Sequence, residues 1–424
     1  MAEKSFPGNF RKLSMDERKQ FIKSRFELSA EEAGMLFGTP EMGALADVMV
    51  ETAVGVMPVP LGIAYGFVID GRETAIPIAC EEPSVIAAAT YAARIIRTGG
   101  GFFTKAEEPL MTAQVFLENC RSDADKKILK QSELIRDELD EILLSLKKRG
   151  GGFRKVSAER LKKTGLLKTD ITIDVRDAMG ANILNTAVEH LRGFLEEMTG
   201  GKSLMCILSN ASFNRRAAAD FSLPVSALPQ SPGSSFSKQE TAERIVLASR
   251  LAHEDVERAV THNKGIMNGI HALALATGND TRALEGAVHA YASRDGRYRS
   301  LSTFSLEGSS LKGSLELPLP LGSVGGAVSS HPAARACMKI LGSPGSMELA
   351  RIGAALGLAQ NFSALLALVT EGIQKGHMKL HAERVAYLAG AKGSEVKLLA
   401  DLLSRDKKYN LDYAKKRLTE LRSR

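Results

Sequence analysis

The sequence predicts a mixed α+β protein with more than one domain, and three observations carry that expectation. The chain has 424 residues, room for two or three domains at about 150 residues each. An uncharged, strand-like stretch at 53–69 runs into a further strand-like segment ending at Cys80. Elsewhere, long segments repeat apolar residues at helical spacing, as in 124–149 and 238–260. With 44% hydrophobic and 25% charged residues, the composition is that of a soluble globular protein. It excludes disordered, collagen-like and disulfide-scaffold classes.

The elements follow in order. Residues 14–37 alternate charged and apolar groups with helical period. Residues 53–80 read as strands, and Asp70-Gly71 suits a tight hairpin turn. Glu81-Glu82-Pro83-Ser84 reads as a helix start with proline at the first helical position, followed by the Ala-rich run Val85–Ala93. Residues 124–149 read as one charged helix whose apolar stripe is Ile128, Ile135, Leu139, Ile142 and Leu146, closed by three glycines. A strand at 171–175 leads into a helix from Met179 to Leu195. Residues 223–237, rich in Pro, Ser and Gly, read as a linker before the helix at 238–260. Residues 314–328 carry short apolar strands, and the remainder is helical. The uncharged stretch 352–370 contains Gln360, Asn361 and Ser363 and reads as a buried helix rather than a membrane span.

Cys80, Cys120, Cys206 and Cys337 stand singly, without metal or redox spacing. Together with an N-terminus that lacks an apolar signal core, they lead to the expectation of a cytoplasmic protein. The net charge is +7, with a basic surplus near the C-terminus that reads as a solvated helix. Few aromatics and no tryptophan weigh against a nucleic-acid binder.

Nucleotide fingerprints are missing: there is no GxGxxG after a strand and no GxxxxGK[ST]. His377 and His381 share a helical face, but residue 378 is Met, so HExxH fails and no metal is expected. Four segments carry chemistry. They are Glu81-Glu82-Pro83-Ser84; Asp177-Ala-Met-Gly-Ala-Asn182, at a strand-to-helix junction; Thr261-His-Asn-Lys264-Gly-Ile-Met-Asn268-Gly with Ala276-Thr-Gly-Asn279-Asp280, read as a Gly-rich setting; and Glu371-Gly-Ile-Gln-Lys-Gly-His-Met-Lys-Leu-His381.

Together these motifs resemble the soluble, class II 3-hydroxy-3-methylglutaryl-CoA (HMG-CoA) reductases of bacteria and archaea, over Phe10 to Gly393. The resemblance implies reduction of HMG-CoA to mevalonate and free CoA by two successive hydrides from a nicotinamide cofactor. It implies a large, mostly helical substrate domain (1–108 and 217–374) and an inserted small ferredoxin-like, non-Rossmann cofactor domain (109–216). A C-terminal helical flap (375–424) completes the chain. It also implies a homodimer with active sites at the subunit interface. By motif matching, Glu82, Lys264, Asp280 and His381 are the catalytic residues. Lys264, with Asp280 as its partner, would stabilise the developing oxyanion. Glu82 would take part in proton transfer, and His381 would protonate the CoA thiolate. Arg11 matches a CoA-phosphate contact. Ser84, Arg258 and Asn268 match residues near the HMG portion, and Asn210 an active-site asparagine. Asp177, Ala178, Met179, Gly180 and Asn182 fall in the cofactor-binding segment.

The chain departs from the family in two places. Glu51-Thr-Ala-Val-Gly55 stands where ENVIG is usual. Lys155 stands where NADH-using members carry an aspartate. A carboxylate there favours NADH by bonding the ribose 2′-hydroxyl, whereas a lysine attracts a 2′-phosphate, so the expectation leans to NADPH over NADH. Two rivals remain. One is the same enzyme oxidising mevalonate. The other is a non-catalytic CoA-ester or nucleic-acid binder.

Overall fold

A computed structural model describes residues 6–230, 236–370 and 372–423, with the side chains of 373–380 excepted. Two compact units result, Met1–Pro60 and Leu61–Arg424.

In the N-terminal unit the predicted helical stretch is two helices, α1 (Met15–Arg25) and α2 (Ala30–Phe37). Each begins with a capping box, Ser14 with Glu17 and Ser29 with Glu32, which satisfies two otherwise unpaired amides at each start. Thr39 caps α3 (Pro40–Met49). Arg18, only 4% exposed, binds the Asp47 carboxylate at 2.5 Å and the carbonyl of Ala53 at 2.7 Å. It thereby fixes the segment that departs from the family pattern. Gly55 lies in that segment, where a Cβ would meet the Leu36 carbonyl oxygen at 2.0 Å. Residues 53–60 form no strand; Pro58 and Pro60 have no N–H to give a ladder.

The second unit opens with the hairpin of β1 (Leu61–Ile69) and β2 (Arg72–Ala79). Asp70 (φ 50°) and Gly71 (φ 81°) both take positive φ, as a two-residue hairpin turn requires. Helix α4 (Val85–Ile96) starts later than the sequence suggested. Pro83 precedes the cap, and Ser84 is the cap residue with φ 79°. Next comes β3 (Phe103–Ala106).

An insertion follows: β4 (Leu110–Glu118), α5 (Ala124–Lys130), α6 (Ser132–Ile142), α7 (Leu144–Lys148), β5 (Gly152–Arg160), β6 (Leu167–Asp174), α8 (Ala181–Thr199) and β7 (Lys202–Leu208). Its antiparallel sheet has the order β5-β6-β4-β7, the ferredoxin-like β-α-β-β-α-β arrangement. The single helix expected at 124–149 breaks at Gln131 and Leu143. The breaks keep Ile128, Ile135, Leu139 and Leu146 buried, while Ile142 turns outward at 37% exposure. These side chains and those of α8 form a hydrophobic core of the insertion's own.

β8 (Arg216–Pro224) then returns to pair with β3. The expected linker 223–237 lies partly outside the described residues, and its first two residues end β8. The helix expected at 238–260 is two helices, α9 (Lys238–Glu254) and α10 (Val256–Ala276). Asp255 separates them with extended backbone and caps α10, accepting from the Arg258 amide at 2.7 Å. Thr261–Gly269, read above as a Gly-rich setting, is therefore helical. The chain continues through α11 (Thr281–Ala292), β9 (Ser302–Glu307), β10 (Ser310–Pro318), α12 (Gly326–Ser330), α13 (Pro332–Ile340) and α14 (Ser346–Val369). The second four-stranded sheet runs β3-β8-β10-β9.

The long apolar helix α14 is interior, with 83% of its most apolar window buried. It crosses α10 where glycines remove side-chain bulk. A Cβ on Gly357 would lie 2.6 Å from Ile270 Cδ1, and one on Gly269 2.8 Å from Gln360 Cγ. The last helices, α15 (Ile373–Leu388), α16 (Ser394–Asp406) and α17 (Leu411–Arg422), share a small core that includes Ala382, Leu399, Leu403 and Leu418. The terminal basic residues are partly neutralised within the chain. Arg417 meets Asp406 and Glu420, and Arg422 holds the Glu395 carboxyl down at about 2.

Candidate active site

Three elements surround a cavity of about 630 Å³, a size that suits a small-molecule group. The turn before α4 supplies Glu82 and Ser84; α10 supplies Arg258, His262, Lys264 and Asn268; α14 supplies Gln360 and Asn361. Lys264 and Asn268, four apart, share one face of α10, and Arg258 lines the same cavity from the helix's first turn. Gln360 Nε2 donates to the Val85 carbonyl at 2.6 Å, tying the start of α4 to α14. The left-handed Ser84 is the kind of non-glycine backbone strain that surrounding structure must hold in place.

Lys264 Nζ lies 3.4 Å from Glu82 Oε2. At 63% and 41% side-chain exposure, this open ion pair contributes roughly 0–1 kcal/mol to stability. Its interest is chemical, because it puts an ammonium and a carboxylate side by side at one edge of the cavity. The Cys80 thiol is pushed above its usual range by burial. Its sulfur accepts from the Glu82 amide at 3.3 Å.

The remaining candidates sit elsewhere. Asp280 caps α11, accepting from the amides of Arg282 and Ala283, and pairs with Arg282. Lys264 meets Glu82 instead of the aspartate expected as its partner. His381 is exposed on α15, its ring 6.2 Å from that of Tyr409, and does not line the cavity. His377 falls among the residues whose side chains are not described. Asn210 is exposed just after β7, and Arg11 is exposed in a short turn of the N-terminal unit. Among the described residues, no three metal-ligating side chains converge.

Asp177 to Asn182 form the junction between β6 and α8. Asp177 does not cap α8. Its carboxylate accepts from the Ser346 amide at the start of α14, at 2.8 Å. The cap of α8 is Gly180, at φ 104° with no side-chain bond, and a Cβ there would strike Val175. The first turn of α8 thus has amides without intrahelical partners, a setting suited to an anionic ligand. Arg154, Lys155 and Arg176 lie on the neighbouring β5 and on the turn after β6. Arg154 and Arg176 both reach the buried Asp174. The chain's own residues therefore fit a phosphate-bearing dinucleotide.

Arg215 and Gly322, which help organise this junction, were not singled out from the sequence. The buried Arg215 donates to the carbonyls of Met179 (3.0 Å), Ala178 (3.2 Å) and Leu321 (2.5 Å). Asn279 pairs reciprocally with the backbone of Gly322. Gly322 comes so close that a Cβ would lie 2.5 Å from the Met179 amide nitrogen. Arg215 carried no sequence signal, because nothing in its neighbourhood marks it as buried. His262 did carry one, a polar ring at a buried helical position between Ala259 and Ile266.

A sequence model of the hydroxymethylglutaryl-coenzyme A reductase family matches residues 14–382. The HMG-CoA reductase of Archaeoglobus fulgidus is 43% identical, over 98% of this chain and 94% of its own length. A probable HMG-CoA reductase of Borreliella burgdorferi is 36% identical, over 98% and 95%. Among solved structures, the HMG-CoA reductase of Streptococcus pneumoniae superposes with a TM-score of 0.75 at 40% identity, covering 98% of this chain and 99% of that one. A class II form from the same organism, bound to NADPH in open conformations, gives 0.75 and 40% over 97% and 100%. The chain belongs to the hydroxymethylglutaryl-coenzyme A reductase family. Within that family it is of class II.

Proposed function

We propose that this protein reduces HMG-CoA to mevalonate and CoA, and the observation that carries the reading is the Glu82–Lys264 pair at the edge of the cavity. Bound NADPH supplies the hydrides. Lys264 stabilises the negative charge that develops on the thioester oxygen, a task for a fixed cation. Glu82, beside it, delivers the proton that the alkoxide needs. Arg258 offers a cation to the free carboxylate of the acyl group, with Ser84 and Asn268 as polar contacts. Asp280 lies 16 positions along from Lys264, past the far end of α10, and in this reading it meets the pair only across the subunit interface of the homodimer. His381 reaches the leaving thiolate when the C-terminal helices move over the cavity, which also excludes water.

The ferredoxin-like insertion, with its own core, serves as the cofactor domain, and 375–424 as the flap. Lys155 is exposed on β5, where its charge favours the 2′-phosphate of NADPH over NADH. The apolar side chains of Leu61, Ile63 and Tyr65 are exposed on β1. Such a face favours association and supports the homodimer reading. The interior position of α14 supports a helix of the protein core rather than a membrane span. The test is to mix purified protein with HMG-CoA and either cofactor and follow nicotinamide absorbance together with thiol release. Two cofactors oxidised per CoA released is the expected stoichiometry. A folded dimer that oxidises neither cofactor refutes the reading.

A further inference from the structure

The turn before α8 and the segment after β10 come from distant parts of the chain, and one buried side chain bonds to both. Arg215 stands just before β8, where the chain leaves the insertion. Its own carbonyl accepts from the Leu319 amide at 3.0 Å, which fixes its main chain to the segment after β10. Its side chain reaches the other way and is buried, the residue being 4% exposed. Nη1 donates to the Met179 carbonyl at 3.0 Å, and Nη2 to the carbonyls of Ala178 at 3.2 Å and Leu321 at 2.5 Å. Burial lowers the guanidinium's pKa to about 10, while Asp174 and Asp177 favour its charge, so it is cationic at neutral pH. Hydrogen bonds from a charged donor are the strong ones.

These bonds have two consequences. A trans peptide group is planar, and its N–H points opposite to its C=O. The Ala178 and Met179 carbonyls face the guanidinium, so the amides of Met179 and Gly180 point away from it. Arg215 thereby sets the direction of two amides at the start of α8. The Leu321 bond carries the constraint onward. Leu321 packs on α14, where a Cβ on Gly353 would lie 3.5 Å from its Cδ1. α14 is the helix that lines the acyl cavity with Gln360 and Asn361.

We propose that Arg215 is a positioning residue for hydride transfer, which ties the Ala178–Met179 turn to Leu321 and so sets where the dinucleotide sits relative to the acyl cavity. The proposal rests on the reading of Asp177–Asn182 as the cofactor segment. The hydride must pass from the nicotinamide to the thioester carbon, and a misplacement of about 1 Å costs such a step on the order of 10²-fold.

The experiment uses Arg215→Met, which loses all three bonds, and Arg215→Lys, which keeps the charge but cannot span three carbonyls. Steady-state rates with NADPH, and with NADPH deuterated at the transferred position, give KM for each substrate and the isotope effect on kcat. Arg215→Met should raise KM for NADPH about tenfold and leave KM for HMG-CoA within about twofold. It should lower kcat by about 10- to 100-fold, with kcat carrying the full isotope effect of the hydride step. Arg215→Lys should recover part of each loss. A purely structural role would lower only the amount of folded enzyme. The apparent kcat would then fall while both KM values and the isotope effect stay as in the wild type, which overturns the proposal. Should Arg215→Met not fold, Arg215→Lys decides. A rise of about threefold in KM for NADPH alone supports the tether, and wild-type values refute it. Failure of the wild type to reduce HMG-CoA refutes the function itself, whereas an active wild type with unmoved variants refutes only Arg215.

Discussion

Acid should destabilise this protein through His262, and the size of the effect follows from its burial. The imidazole is 2% exposed between α10, β9 and α14. Its folded pKa is about 4 against 6.5 when free. Above about pH 7 the ring is neutral in both states, and its contribution to stability is fully present. As pH falls below 6.5 the unfolded chain takes the proton first, so stability is lost until the folded ring titrates near 4. The full loss is about 3 kcal/mol, of which about 2 kcal/mol is spent between pH 7.5 and pH 5. The perturbation is His262→Gln, which keeps an N–H for Ser302 and cannot titrate. Urea unfolding at the two pH values and one protein concentration provides the assay. The wild type should lose about 2 kcal/mol more than the variant on going to pH 5. Parallel losses in the two proteins would show that the ring is accessible to protons and that the burial argument is wrong.

Four further outcomes are expected. Glu82→Gln should lower kcat by about 10²- to 10⁴-fold with little change in KM, the signature of lost proton transfer, measured by steady-state kinetics. Gly322→Ala should raise KM for NADPH and spare KM for HMG-CoA, because a Cβ 2.5 Å from the Met179 amide displaces the backbone at the start of α8. Lys155→Asp should shift the kcat/KM ratio toward NADH, and an unchanged ratio would remove the lysine from cofactor choice. His381→Ala should abolish reduction of HMG-CoA but spare reduction of the free aldehyde, mevaldehyde, which has no thiolate to protonate; equal loss on both substrates would deny the histidine that role.

Local chemistry explains what the sequence by itself determined. The Asp70-Gly71 hairpin was legible because its turn needs positive φ at both positions. The buried character of α14 was legible because 19 uncharged residues interrupted by Gln360 and Asn361 suit an interior better than lipid. The catalytic candidates could be named from motifs because the chemistry restricts the residue types. Breaks within helical periodicity were not legible. Nothing local at Gln131 or Leu143 announces that the helix must re-phase to keep Ile135 and Leu146 on one core, and the extended backbone at Asp255 interrupts an otherwise helical pattern. The partner of Lys264 was decided by tertiary structure as well. Glu82 lies 182 positions away in the sequence and reaches the ammonium only because α4, α10 and α14 converge. The same convergence buries His262, and the junction before α8, packed against the segment after β10, ties Arg215 to three carbonyls. Burial and hydrogen-bond satisfaction are properties of the packed whole, so they give these residues their roles only once the chain has folded.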